Sequence, residues 1–381
     1  MTKRKYKVSG GIDMNCNYET EALTKIGEWF VFLSDYELNK ARKKKVEIDK
    51  LIVIDTVPKQ IRSYYDLVNF KHQLLTEEIT FRTSLKQPQT LQNDVAELTD
   101  CTLTYLYFFM QAIVSINEEN YRNAMKYLQQ AEREVSIVNQ FEQAEFHFRK
   151  GYVHYRLSEN SDALVHLHRS YQFVKSSEAH LKLKANLCIL KAGIYSESGD
   201  YEYATVSSDL AIIHAVNEPL TKAMAYRSKA NNEYRFGQYE AAAALYERSL
   251  TTTNQCQLSV GIKSSFNLAL CWLKLGDYEK GKALLEEVER CLQHYPEGLT
   301  EYVARSRIAR ELYISHEPNI DRVASAINLL REKRLTFEMK EVIKELSDYY
   351  KERGEKNLEE DGLQFRTSHD QKSLSLEVKG I

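Results

Sequence analysis

Residues able to do chemistry are numerous in this chain but scattered. Ten histidines and six cysteines occur among 381 residues. No two cysteines form a C-x-x-C pair, and none lies near a histidine at zinc-ligand spacing. His166 and His168 stand two apart, so a helix turns them to different faces and denies them a shared metal. G-x-S-x-G stretches, phosphate-binding loops and dinucleotide fingerprints are all missing from the sequence. The expectation is a protein with no metal and no cofactor of its own, and not an independent small-molecule enzyme. The polar residues with the most regular placement are amides and carboxylates: Asn186, Glu197, Asn231, Asn232 and Asn267, set among apolar residues at helical spacing. An asparagine side chain can pair with a peptide N–H and C=O at once and so hold an extended backbone without reading its sequence. A carboxylate such as Glu197 can pair with a basic side chain of a ligand. The same groups can also satisfy neighbouring helix ends or face water, and the residues alone leave both readings open.

The elements that position these groups repeat. Gly199-Asp200-Tyr201-Glu202-Tyr203-Ala204, Gly237-Gln238-Tyr239-Glu240-Ala241-Ala242 and Gly276-Asp277-Tyr278-Glu279-Lys280-Gly281 share one turn-then-helix pattern. Looser copies run from Asn120-Tyr121 to Ala124 and from Ser161-Asp162 to Ala163. In each, a small residue lets two helices approach closely. These anchors, Ala124, Ala163, Ala204, Ala242 and Gly281, are spaced by 39, 41, 38 and 39 residues. A regular tetratricopeptide repeat is about 34 residues long, so these are lengthened helix pairs of that type. Stacked pairs bury a common core and wind into a right-handed superhelix whose inner wall comes from the first helix of each pair. Those first helices are expected at Phe141–Leu157, His180–Ser196, Leu220–Phe236 and Val260–Leu275. They carry the candidate peptide-binding residues Tyr155, Asn186, Glu197, Ser228, Asn231 and Asn267.

Composition agrees. Only 5 Pro and 14 Gly occur, which favours an all-α fold over many short strands. The net charge of −2 argues against a dedicated nucleic-acid binder. A basic run, Arg42-Lys43-Lys44-Lys45, reads as a solvated helix face, with a docking surface for an acidic protein as the alternative. No stretch of eighteen apolar residues predicts a membrane span, and a cytoplasmic location follows by default. Residues 1–18 read as a disordered lead and 356–381 as a flexible tail. Residues 19–90 read as a three-helix bundle, with helices at Ala22–Leu33, Tyr36–Ile54 and about Gln60–Leu85, and 91–355 as the repeat array. The run Cys101–Phe109 is apolar nearly all round and should be buried between bundle and array.

Three stretches resemble the Rap family of bacterial response-regulator phosphatases and antagonists. Ile26-Gly27-Glu28-Trp29-Phe30 is similar to that family's "INEWY". Tyr64-Tyr65-Asp66-Leu67-Val68-Asn69-Phe70-Lys71-His72-Gln73-Leu74 is similar to its "YYSLMEFRHQLM". Glu142-Gln143-Ala144-Glu145-Phe146-His147-Phe148 is similar to its "IEKAEFFF". The likeness runs from about residue 20 to 350. It implies a cytoplasmic regulator whose bundle docks a response regulator and whose array takes a short Phr-like peptide that switches it. Neither nucleic acid nor membrane is implied as a partner, and any Mg would belong to the response regulator.

The sequence departs from the family at both sites. Phosphatase members carry an acidic stretch like "EEDQD" before the tyrosine pair, with a Gln that orients the attacking water. Here the stretch is Thr56-Val57-Pro58-Lys59-Gln60-Ile61-Arg62-Ser63, which puts Lys59 at the Gln position and Gln60 one place on. One residue is about 100° of helix rotation, and a Lys cannot align water as an amide does. Gln60 is the candidate catalytic residue, and catalysis is in question. In the fourth first-helix the family's "NIGxCY" becomes Ser228-Lys229-Ala230-Asn231-Asn232-Glu233-Tyr234, so Ser228 replaces the leading Asn. Glu197 stands where the family has Asp, and "KQT" becomes Ser158-Glu159-Asn160. Three functions remain open: an antagonist that sequesters or dephosphorylates a response regulator, a peptide-responsive transcription regulator, and a non-catalytic repeat scaffold. The second needs an N-terminal helix-turn-helix, and the first 90 residues show no convincing one.

Overall fold

The structure, a computed structural model, describes residues 12–52, 57–76, 100–252, 259–294, 299–315, 318–333 and 335–352. Those residues form sixteen α-helices and one 3-10 turn, with no strand among them, as an all-α repeat protein requires. The tail at 356–381, the connector at 87–89 and the end of the helix expected to reach Leu85 lie outside the described residues.

The bundle helices are α1 (Ile12–Ser34), α2 (Leu38–Leu51) and α3 (Lys59–Thr76). The lead expected to be disordered through residue 18 is helical from Ile12. One reason is Tyr18, whose hydroxyl donates to the Leu51 carbonyl at 3.0 Å and ties the early turns of α1 to the end of α2. Pro58 immediately precedes α3, where its missing N–H costs nothing, and its carbonyl accepts from the Arg62 N–H at 3.1 Å.

Six helix pairs and a last helix follow. They are α4 (Cys101–Asn117) with α5 (Tyr121–Glu132), α6 (Gln140–Arg156) with α7 (Asn160–Val174), and α8 (Leu181–Glu197) with α9 (Tyr201–His214). Next come α10 (Pro219–Arg235) with α11 (Tyr239–Thr252), α12 (Ser259–Lys274) with α13 (Tyr278–His294), and α14 (Thr300–Tyr313) with α15 (Ile320–Glu332). The last helix is α16 (Thr336–Glu352). The expected first helices match α6, α8, α10 and α12 to within one residue at each end.

Five of the turns share one backbone solution. The residue two places before the second helix is left-handed in every case: Glu119, Ser158, Gly199, Gly237 and Gly276, with φ of 58°, 64°, 80°, 78° and 83°. Glycine takes this conformation without a Cβ penalty, and it ends a helix efficiently. Asn120, Asp200 and Asp277 then cap the next helix by accepting from the N–H three residues on. All four alanine anchors are fully buried. At Gly281 an added Cβ would sit 2.6 Å from Leu273 Cγ and 3.2 Å from the Ala269 carbonyl oxygen, so glycine here sets how closely α12 and α13 approach.

The chain divides into two compact units: Met1–His154 with Asn160–Leu187, and Tyr155–Glu159 with Cys188–Ile381. The division does not fall at residue 90, where the sequence separates bundle from array. In the first unit α4 is buried along most of its length, and Tyr105, Phe109 and Phe146 stack in its core. The bundle and the first helix pairs therefore share one interior.

Two substitutions test these features. Ser158→Gly removes a left-handed Cβ at an exposed position and should raise stability by about 1 kcal/mol. Gly281→Ala should lower it by about 1–3 kcal/mol through overpacking. Urea unfolding of both variants reads the opposite signs directly.

Candidate functional site

In the first unit, the three stretches that carry the family resemblance meet. Trp29 is fully buried in α1, and its indole N–H donates to His72 Nδ1 of α3 at 2.9 Å. Burial first, then the Lys45 charge, lowers the His72 pKa, so the ring is a neutral acceptor. Trp29 also packs on Tyr65, at 5.7 Å between ring centroids. The Tyr65 hydroxyl donates to Asp49 of α2 at 2.6 Å. One residue before His72, Lys71 forms a 2.7 Å ion pair with Glu142 of α6. Glu142 is 1% exposed and also accepts from Ser34 at 2.9 Å and Tyr105 at 3.2 Å. A buried carboxylate with one cation and two hydroxyl donors has its lone pairs well occupied.

Half of the basic run on α2 is neutralised, while Arg42 and Lys43 are exposed. Lys44 pairs with Glu28 and Glu47, and Lys45 with Asp49, as the solvated-face reading expects. Lys59 and Gln60 are exposed in the first turn of α3.

A second feature of this unit is a histidine pair. His147 Nδ1 of α6 lies 3.0 Å from His166 Nδ1 of α7, both about 8% exposed. Burial, with the Arg169 and Lys150 charges nearby, pushes His147 down to about 4 and His166 to about 3. Both rings are neutral at pH 7, one donating and the other accepting.

In the second unit the candidate peptide residues fall into two clusters. The Tyr155 hydroxyl, at the end of α6, donates to Glu197 at the end of α8. Burial raises the Glu197 pKa to about 7, against the lowering effect of Tyr155 and Arg235. The carboxyl is thus already engaged and only partly ionised at neutral pH. Further along, Asn231 Oδ1 of α10 accepts from Tyr246 at 2.7 Å and from Asn267 of α12 at 3.0 Å. Ser228 is nearly buried, with its hydroxyl 3.5 Å from the Ile189 carbonyl. Asn186 is half-buried on α8 and belongs to the first unit. Asn232 binds Thr205 and serves the α9–α10 contact.

The sequence reading missed three arginines. Arg156 of α6 pairs with Glu338, Arg235 of α10 pairs with Glu341 at 2.8 Å, and Arg305 of α14 pairs with Glu345 at 3.4 Å. All three carboxylates lie on α16 at spacings of three and four residues, a pattern the sequence does contain. Glu301 also pairs with Arg305, at 3.2 Å. Burial would raise the Glu301 pKa, but Arg305, Arg156 and Lys263 bring it below the usual value.

A family model described as response regulator aspartate phosphatase H, N terminal, matches residues 18–77, which span the bundle. Response regulator aspartate phosphatase H of Bacillus subtilis (strain 168) is 22% identical over 301 residues, covering 76% of this chain and 77% of that protein. The chain is similar to the Rap family, through a model that matches its bundle and a relative that matches three quarters of its length. A crystal structure of a Rap protein complexed with competence and sporulation factor has the same fold. Its TM-score is 0.83 at 17% identity, over 94% of this chain and 99% of that one. Type II methyltransferase M.CeqI of Rhodococcus hoagii is 28% identical over 337 residues, 86% of this chain. The match covers 63% of that protein's length, under two thirds, so its named activity is not carried over. Among the described residues, no helix is long and apolar enough to cross a membrane.

Breaking the buried pair should be costly. Lys71→Met leaves Glu142 buried without its cation and should lose about 3–5 kcal/mol, whereas Lys71→Met with Glu142→Leu should recover most of that loss. A double-mutant cycle by urea denaturation measures the coupling.

Acid should weaken the first unit. Its folded state keeps His147 and His166 unprotonated while the unfolded chain binds protons near pH 6.5, so stability falls as pH drops from 6.5 towards 4. Each histidine contributes a slope of at most about 1.4 kcal/mol per pH unit. Urea midpoints at pH 7.5, 6 and 5 should decline, and less steeply in a variant carrying His147→Leu and His166→Leu.

Proposed function

We propose that this chain binds a bacterial response regulator through its three-helix bundle and antagonises it by stoichiometric sequestration. A short peptide bound to the first-helix face of the array switches it. The observation that carries this reading is the start of α3. Of the residues behind the resemblance, Trp29 is bonded to His72 and packed on Tyr65, and Lys71 is paired with Glu142. The position where phosphatase members have Gln instead holds Lys59, exposed beside Gln60. Docking architecture is retained while the water-orienting amide is displaced.

The chemistry makes this displacement decisive. An aspartyl phosphate is an activated acyl phosphate, and its hydrolysis needs a water in line with the departing carboxylate. The response regulator supplies the phosphorylated Asp and its metal, so a phosphatase need add only one side chain that places water. The Lys59 ammonium donates hydrogen bonds but accepts none, so it cannot take up that role. The peptide-switch half of the reading draws on the repeat array, on the amide cluster at Asn231 and Asn267, and on the peptide complex of the structural relative.

The experiment uses a panel of purified response regulators, phosphorylated and not. Co-elution at one-to-one stoichiometry is expected with at least one of them, together with phosphate release no faster than that regulator's own. Gln60→Ala should leave that rate unchanged. Rapid turnover at substoichiometric protein would overturn sequestration, and its loss in Gln60→Ala would assign the catalytic role to that amide.

A further inference from the structure

We propose that the ligand of the array is an acidic peptide whose carboxylates bind Arg156, Arg235 and Arg305, and that α16 occupies this site internally when the peptide is absent. The inference rests on the peptide-binding reading above and gives that peptide its charge.

Three observations carry it. First, the three guanidinium groups come from α6, α10 and α14, which are all first helices but not consecutive ones, and they converge on one face of one helix. Glu338, Glu341 and Glu345 present their carboxylates at i, i+3 and i+7, much as an extended ligand would present alternate acidic side chains. Second, the charge of this face depends on α16. Without it, Arg156, Arg235 and Arg305 face Glu301 and Glu197, of which Glu197 is only partly ionised, while Arg227 lies near Tyr302. Arginines held in a partly buried setting bind carboxylates more strongly than exposed ones do. Third, the guanidinium groups on this face are not fully used, since the buried Nε atoms of Arg156, Arg227 and Arg305 all lack an acceptor among the described residues. Arg227 lies on α10 one turn before Asn231, and its buried Nε has no hydrogen-bond partner among the described residues. A ligand acceptor placed there would satisfy it, while the Asn231 and Asn267 amides hold the adjoining backbone.

The internal occupant is also poised to leave. The apolar side of α16 packs through Val342, Leu346 and Tyr349, and the Tyr349 hydroxyl bonds to the Leu312 carbonyl of α14. Its acidic side is held unevenly: Glu338 is 1% exposed, whereas the Glu341 side chain retains 34% of its exposure and offers the point where exchange can begin. Exchange of one carboxylate set for another conserves the number of ion pairs, so displacement needs little net electrostatic free energy.

The test uses three labelled pentapeptides with blocked ends: Glu-Ala-Glu-Ala-Glu and its all-Gln and all-Lys counterparts. Their affinities for the full chain are read by fluorescence anisotropy. The acidic probe should bind wild type better than either counterpart. It should bind about tenfold more tightly to a variant carrying Glu338→Gln, Glu341→Gln and Glu345→Gln, because the competitor is gone, and about tenfold more weakly to Arg235→Gln. Should the triple variant fold poorly, Glu341→Gln alone, at the most exposed of the three positions, should show a smaller gain of the same sign. Acidic-probe binding should also speed amide hydrogen exchange across residues 336–352, which a purely structural role for α16 does not predict. An acidic probe that binds no better to the Gln variants than to wild type overturns the inference, as does failure of all three probes to bind. Preference for the Lys probe, lost in Glu197→Gln, would also overturn it and leave the peptide-switched regulator standing.

Discussion

The first unit is organised around one buried charge. Glu142 is almost without solvent contact, and a carboxylate in that position is tolerable only if its lone pairs are filled. Lys71 arrives from α3, Ser34 from the last turn of α1 and Tyr105 from α4, so four helices must be in register for one residue to be satisfied. Apolar packing of Trp29, Phe109 and Phe146 provides most of the cohesion, but packing tolerates small slips of one helix over another. A hydrogen-bonded ion pair does not. The pair therefore fixes how the bundle sits on the first repeats.

The second unit uses charge differently. Its arginine–glutamate pairs link helices distant in sequence, and the one between Arg235 and Glu341, 106 residues apart, is partly wet. The contrast with the first unit is one of depth. A fully desolvated pair acts as a structural pin, whereas pairs that keep some water can be exchanged at modest cost.

Much of this was legible in the sequence, for local reasons. Helix pairs are set by apolar spacing, small-residue anchors and Gly-Asp turns, and each of these acts within a few residues of itself. Hence α6, α8, α10 and α12 were placed to within a residue, and Ala124, Ala163, Ala204 and Ala242 were recognised as contact points. The left-handed slots at Glu119 and Ser158 were not recognised, because nothing in those side chains announces a conformation they adopt only when the flanking helices demand it. Nor was the partnership of Lys71 with Glu142, or of Arg156 with Glu338, since such pairs exist only once the chain has folded. Gln60 stands out through the resemblance, and Glu197 through its place near the end of a first helix as well. The structure leaves the first exposed to solvent and finds the second already bonded to Tyr155.

The chain holds only two tryptophans, and they fall one to each unit. Trp29 is sealed from water with its indole N–H bonded to His72, while Trp272 is half-buried beneath the Lys280 ammonium at 4.6 Å. Their emission should differ in colour, the first blue and the second shifted to the red. A single Trp→Phe exchange at either site would thus give each unit a private optical signal, and the loosening of one could be followed by light alone while the other stays folded.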